Sequence, residues 1–315
     1  MLNVLIDTDP GMDDALAIAL AHNSPALRIL AVTAVTGNLP ADRTAANALR
    51  VLDLLGAPEL PVAQGALVPL GGDYPSDPFS HGSDGLAESN LPASARRLDP
   101  RGAAQLIVDT VNAHPGDIAI CALGPLTNIA AALAIDPELP GKVSQLTIIG
   151  GAFGATPYAW SQATGDNPVS EWNVFVDPEA AHIVFNAGFR MLAVGLDVAT
   201  HPAINFRPAD LERLRASAKP EAQLAVRVVQ FVEGRGYQSY CSLIDSAAVA
   251  SLIDPTLVRT ETVHCDVATE GRLTRGMTVV DRRNHHRWTD LPQIEIAVGF
   301  DYDRFLDLVT EELAA

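Results

Sequence analysis

Short apolar runs rich in β-branched residues alternate along this chain with longer segments of helical period. Parallel strands joined by crossover helices produce that rhythm, and few other architectures do. The strand-like runs are Asn3–Asp7, Arg28–Val35, Asp117–Leu123, Gln145–Gly150 and Arg190–Leu196. The helix-like stretches are Asp13–His22, Ala41–Leu55, Arg101–Ala113, Pro125–Ile135 and Pro178–Ala187. The expected fold is therefore α/β, with a doubly wound, mostly parallel central sheet flanked by helices. After Pro208 come two helical segments, a β-rich stretch from Leu257 to Val298 and a closing helix at Tyr302–Leu313, which together read as a β-rich C-terminal extension. No linker, composition shift or internal repeat divides the 315 residues, so 1–315 reads as a single domain.

Charge and residue usage exclude several functions. Twenty-one lysines and arginines stand against 38 aspartates and glutamates, a formal net charge of −17 that repels nucleic acid and anionic membranes. Only Lys142 and Lys219 are lysines, which limits Schiff-base and lysine-phosphate chemistry. Cys121, Cys241 and Cys265 have no C-x-x-C spacing and are too few for a disulfide framework, so Cys121 and Cys241 read as apolar fillers in a reduced, cytoplasmic protein. No apolar run approaches the ~18 residues of a membrane span, and the N-terminus lacks a basic leader. Phosphate-loop, dinucleotide, serine-elbow and zincin motifs are absent. The basic island Arg282, Arg283, His285, His286 and Arg287 reads as a solvated turn.

The sharpest chemical signal is Asp7-Thr8-Asp9-Pro10-Gly11-Met12-Asp13-Asp14, where an apolar strand ends in carboxylates, turns at Pro-Gly and enters a helix with two more. Ligands gather at the carboxyl ends of strands in open α/β sheets. Asp13 alone suffices to cap a helix, so four carboxylates in eight residues are better explained by a hard divalent cation, Ca²⁺ or Mg²⁺, than by capping. Two long connections, Gly65–Leu98 and the aromatic Gly151–Asn173, interrupt the rhythm, and loops of that length are usually functional.

At these residues the sequence resembles the nucleoside hydrolase family of the inosine-uridine type, which cleaves the N-glycosidic bond of ribonucleosides. The likeness continues through Val35-Thr36-Gly37-Asn38, His81-Gly82 with Gly85-Leu86, Leu123-Gly124-Pro125-Leu126-Thr127-Asn128, Glu171-Trp172-Asn173 leading into Val176-Asp177-Pro178-Glu179, and Leu273-Thr274-Arg275-Gly276. The resemblance implies Ca²⁺ held by Asp9, Asp14, the backbone carbonyl of Leu123 and Asp245. Asp9 would also be the general base toward a water on that ion. It implies ribose contacts from Asp13, Asn38, Glu171 and Asn173, a base pocket lined by His81, and a homodimer or homotetramer. Read without the resemblance, Asp245 is a helix N-cap, Asn38 a turn residue, His81 a structural or merely exposed loop histidine, and Glu171 and Asn173 are loop polar groups.

The sequence departs from the family pattern twice. Many members carry a histidine before the last metal-binding aspartate as acid to the departing base, and here that position is Ile244. The Gly151–Ser170 stretch is longer than the pattern, which leaves Asn167 the nearest candidate for the ribose 5′-hydroxyl, with Asp166 or neither residue as alternatives. Tyr158 and Trp160 either stack on a nucleobase or pack within their own loop, and Tyr237 and Tyr240 are candidates for the pocket wall. Two other readings stay open: a catalytically weak nucleoside- or ribose-binding protein that retains the metal site, and a phosphohydrolase with Asp7 or Asp9 as nucleophile.

Overall fold

The computed structural model describes residues 1–72, 74–76 and 80–315, so part of the Gly65–Leu98 connection lies outside the described residues. Among those described, the strands are β1 (Leu2–Thr8), β2 (Leu27–Ala34), β3 (Val62–Gln64), β4 (Ala119–Ala122), β5 (Gln145–Ile149), β6 (Met191–Val194), β7 (Val258–Val267), β8 (Thr278–Val280) and β9 (Gln293–Phe300). They form one sheet in the order β3-β2-β1-β4-β5-β6-β9-β7-β8. Pairing is parallel from β3 through β9, and β7 runs antiparallel to both of its neighbours, β9 and β8. The β-rich C-terminal extension thus continues the central sheet.

The helices are α1 (Met12–Asn23), α2 (Ala41–Leu54), α3 (Ala103–Ala113), α4 (Thr127–Ile135), α5 (Leu139–Lys142), α6 (Tyr158–Ser161), α7 (Trp172–Val176), α8 (Pro178–Phe185), α9 (Leu196–Ala199), α10 (Pro208–Ala216), α11 (Pro220–Gly234), α12 (Ile244–Ile253) and α13 (Tyr302–Ala314). Successive strand residues point to opposite faces: Val4 and Ile6 pack with α1, α11, α12 and α13, whereas Leu5 packs with α3 and α4. The sheet is therefore buried on both sides, which explains why its strands read as continuous apolar runs. Cys121 fills the α1 face beneath β4, and burial pushes its thiol up to about 12.

This strand order places the functional residues. β1 sits between β2 and β4, so the chain leaves β1 in one direction and builds β4, β5 and β6 in the other. The crevice at such a reversal, beyond the carboxyl ends of the strands, is where open α/β sheets bind ligands. Here it opens between Asp9, just past β1, and Leu123, just past β4. Among the described residues no helix is long and apolar enough to cross a membrane.

Candidate active site

The aspartates of the first motif have separate environments. Asp7 belongs to β1 and is wholly buried; its Oδ1 accepts from Thr33 Oγ1 at 2.5 Å and Asn128 Nδ2 at 2.8 Å, and burial pushes its carboxyl up to about 7. It is not among the described residues lining the adjacent cavity, so nothing there places it as a nucleophile. Asp9 Oδ2 accepts from the Asn38 backbone N–H at 2.6 Å, while Oδ1 is buried without a hydrogen-bond partner. Glycines make room for this carboxylate. A Cβ on Gly37 would stand 2.0 Å from Asp9 Oδ2, and one on Gly124 would stand 2.6 Å from Oδ1. If hydrolysis depends on where Asp9 sits, Gly37→Ala should lower kcat by roughly 100-fold without unfolding the chain. Steady-state kinetics beside a melting curve checks this, and a rate within threefold of wild type would show that the placement of Asp9 is not critical.

Asp14, not Asp13, closes the start of α1. Its carboxylate accepts from Gly11 N at 2.8 Å, Thr8 Oγ1 at 2.5 Å and Asn38 Nδ2 at 3.2 Å. That leaves Asp13 Oδ1 buried and without a hydrogen bond, with His81 Nδ1 3.5 Å away. Asp245 arrives from α12, where Leu243 is the N-cap and no side chain caps the helix, so the plain capping reading of Asp245 does not hold. Carboxylate oxygens of Asp13, Asp14 and Asp245 all lie within 4.8 Å of one another. Burial first, and repulsion from neighbouring carboxylates second, holds Asp9, Asp13 and Asp245 well above the usual carboxylate range. A cluster of buried oxygen donors with unpaired atoms fits a hard divalent cation.

The opposite wall is built on α7. Glu171 caps that helix, its Oε1 accepting from Asn173 N at 2.8 Å and its Oε2 from Val174 N at 3.0 Å and Gly151 N at 3.1 Å. Asn173 Nδ2 donates to the carbonyls of Leu123 at 2.9 Å and Ile149 at 3.2 Å, tying α7 to the ends of β4 and β5. Behind α7, Gly276 approaches so closely that a Cβ there would meet Phe175 Cα at 2.7 Å, which accounts for glycine in the Arg275-Gly276 pair. Thr127 Oγ1 and Asn128 Nδ2 clip the start of α4 to Asp177 and Asp7.

Between these walls lies a cavity of about 360 Å³, and Asp13, Asn38, His81, Leu123, Glu171, Asn173 and Asp245 all line it. Asp9 and Asp14 lie just outside that lining, bonded to Asn38. Asn167 is not brought to the cavity: its Nδ2 donates to the Arg275 carbonyl at 2.8 Å and its Oδ1 accepts from Val169 N and Ser170 Oγ. Tyr158 and Trp160 are also outside the described lining. Tyr158 packs edge-on against His201 at 4.7 Å, and the ring of Trp160 packs against Gly154. Ile244, Tyr237 and Tyr240 do line the cavity, and Tyr240 donates its hydroxyl to Gln162 Oε1 at 2.7 Å, linking the extended loop to the segment before α12. Gln162, Thr164, Arg235 and Trp172 line it without having been singled out as site residues in the sequence. A larger hollow of about 590 Å³ near Arg259, Glu261 and Arg282 lies open to solvent and contains no carboxylate cluster.

The model of the family described as inosine-uridine preferring nucleoside hydrolase matches residues 4–307. The chain belongs to that family. As a nucleoside hydrolase it is 38% identical to the inosine-uridine preferring nucleoside hydrolase of Leishmania major, over 98% of this chain and 96% of that protein. It is also 38% identical to the pyrimidine-specific ribonucleoside hydrolase RihA of Citrobacter koseri, over 99% of this chain and 98% of that one. Among solved structures, a plant nucleoside hydrolase superposes with a TM-score of 0.89 at 35% identity, covering 100% of this chain and 99% of the other. The hydrolase thus shares its fold and nearly its whole length with these relatives.

Proposed function

We propose that this nucleoside hydrolase is calcium-dependent and splits ribonucleosides into ribose and free base, the chain 1–315 acting as one unit. The observation that carries the reading is the buried carboxylate cluster at the cavity floor, with Asp9 Oδ1 and Asp13 Oδ1 unpaired. Asp9, Asp14, Asp245 and the carbonyl of Leu123 would hold Ca²⁺, with Asp13 beside them. When bound, the cation supplies opposite charge to the cluster and Lewis acidity that makes a water easier to deprotonate.

The chain's own groups perform the rest. Asp9 takes the proton of the attacking water on its unpaired Oδ1, held in place by the Asn38 backbone N–H. Asp13, Asn38, Glu171 and Asn173 hold the ribose, and their carboxylates stabilise the positive charge that develops on the sugar as the bond to the base breaks. His81 borders the pocket beside Asp13. Ile244 offers no proton, and the cavity wall beside it includes Tyr240, whose hydroxyl donates to Gln162 Oε1. Three unpaired cysteines suit a cytoplasmic setting, and light scattering checks for a homodimer or homotetramer.

The test is release of reducing sugar from inosine, adenosine, guanosine, uridine and cytidine, with calcium and after chelation. Turnover that is lost on chelation and restored by calcium is the expected result. Tight nucleoside binding in calorimetry with no sugar released over long incubation supports the second reading, a binding protein, which the apolar Ile244 in the cavity wall favours. Phosphate release from monoesters with Asp7 as nucleophile is not expected, because Asp7 is buried and does not line the cavity among the described residues.

A further inference from the structure

The Gly151–Ser170 stretch walls the cavity with Ser161, Gln162, Ala163 and Thr164, yet among the described residues its only regular element is the four-residue α6. A segment with so little structure of its own keeps its shape through ties to other elements. Its first turns are tied to one side chain, Asp197 on α9. Asp197 Oδ2 accepts from Phe153 N at 2.8 Å, and Oδ1 accepts from Ala155 N at 2.6 Å and Thr156 N at 3.2 Å. Thr156 Oγ1 completes the clip by donating to the Asp197 carbonyl at 2.7 Å. Asp197 is wholly buried, and burial raises its carboxyl above the usual carboxylate range, a cost that an apolar side chain in its place would not carry. It is not among the described residues lining the cavity, so its effect on a substrate passes through what it holds. Beyond the clip, Leu196 packs with Ala152 and Ala159, and the lining end of the loop is tied at Gln162 to Tyr240 and at Thr164 to the backbone N–H of Trp172.

We propose that Asp197 is a positioning residue for the nucleobase: through the clip at Phe153–Thr156 it sets where Gln162 meets the base, without touching the substrate itself. With the sugar held by Asp13, Asn38, Glu171 and Asn173, the lining that remains for the base is the loop side, where Gln162 stands beside Tyr240 and Ile244. This inference rests on the hydrolase reading, and it separates the grip on the base from the grip on the sugar.

The experiment measures kcat and KM with calcium on whichever of inosine and uridine the wild type hydrolyses, and the inhibition constant of methyl β-D-ribofuranoside, which has the sugar and no base. The variants are Asp197→Asn, Gln162→Ala and the double variant. Asparagine keeps the shape of the side chain but, whichever way its amide is set, turns an N–H₂ toward a backbone N–H of the loop. Each single variant is expected to raise KM by about tenfold, the size of one net hydrogen bond, with kcat within about threefold, as loss of uniform binding requires. The inhibition constant of the riboside should stay within about twofold. Because Asp197 acts through the loop that carries Gln162, the double variant should raise KM by no more than about twofold beyond the larger single effect, whereas independent residues would multiply to about 100-fold. Where Asp197→Asn does not fold, Thr156→Val cuts the clip from the loop side and takes its place in the same cycle, with an expected rise in KM of about threefold. An unchanged KM, a riboside constant that rises together with KM, or a multiplicative double variant overturns the inference and leaves the hydrolase standing. A wild type that releases sugar from no nucleoside overturns the hydrolase reading and this inference with it.

Discussion

Replacing Asp9 with asparagine is expected to lower kcat by about 10³-fold, in the range that loss of a general base produces, while raising the melting temperature of the calcium-free protein. The two signs have one origin. Asparagine has the same shape and keeps an oxygen to accept from the Asn38 N–H, which now bonds Asp9 Oδ2 at 2.6 Å. It cannot take a proton from water, and it carries no charge toward a cation. Burial, then repulsion from Asp14 and Asp13, holds Asp9 above the ordinary carboxylate range, so removing its charge relieves Asp13 and Asp245 as well. A purely structural aspartate would behave the other way, its loss lowering the melting temperature and sparing the rate. Sugar release in saturating calcium and a melting curve in chelator decide between them. A variant within tenfold of wild type in rate would remove Asp9 from the reaction.

Much of this site is legible in the sequence because its residues sit where a period breaks. The apolar run of β1 stops at Asp7, and α1 begins before Asp13, so a cluster at a strand end follows from pattern alone. The regular elements are legible for the same reason, the predicted helix at Ala41–Leu55 against the observed Ala41–Leu54 for instance. What is not legible depends on partners far along the chain or on very short elements. β3 has three residues and leaves no periodic trace. Leu196 reads as the end of a strand, yet Gly195 breaks the backbone and Leu196–Ala199 turns into α9. Tyr158 looks free to meet a base until His201, more than forty residues away, takes its ring. Asn167 looks free to meet a hydroxyl until the Arg275 carbonyl takes its amide. That Trp172 lines the cavity could not be read because E-x-N gives no direction for its middle residue before α7 is known to form.

Between pH 5 and pH 8 the calcium-free protein should lose stability, and calcium should remove much of that loss. A carboxyl whose folded pKa is raised binds more protons folded than unfolded, so its stabilisation is complete below the unfolded pKa and disappears as pH climbs through the folded one. Asp9, Asp13 and Asp245 are raised in this sense, and Asp7 is pushed from 3.8 up to about 7 by burial. For Asp7 alone, that shift corresponds to on the order of 4 kcal/mol between pH 3 and pH 8. Several surface carboxylates act oppositely, such as the partly buried Asp99, held down to about 2 by its hydrogen bonds with Arg101, but their contribution is complete by about pH 5. His22 and His201, pushed down by burial, also favour the fold as pH rises, yet both are only partly buried, whereas the four aspartates are buried. The buried carboxylates should therefore prevail, lowering the melting temperature by roughly 10 °C across the window. Calcium neutralises the cluster but does not reach Asp7, so a residual slope should persist in calcium and shrink in Asp7→Asn, whose amide oxygen can still accept from Thr33 and Asn128, while Glu171 and Asp197, also raised by burial, keep the remainder. Melting curves at pH 5 and pH 8, with chelator and with calcium, read all of this at once. A flat profile in chelator would mean that the cluster is not charged as the geometry requires. A slope untouched by calcium would mean that the cluster does not take the ion.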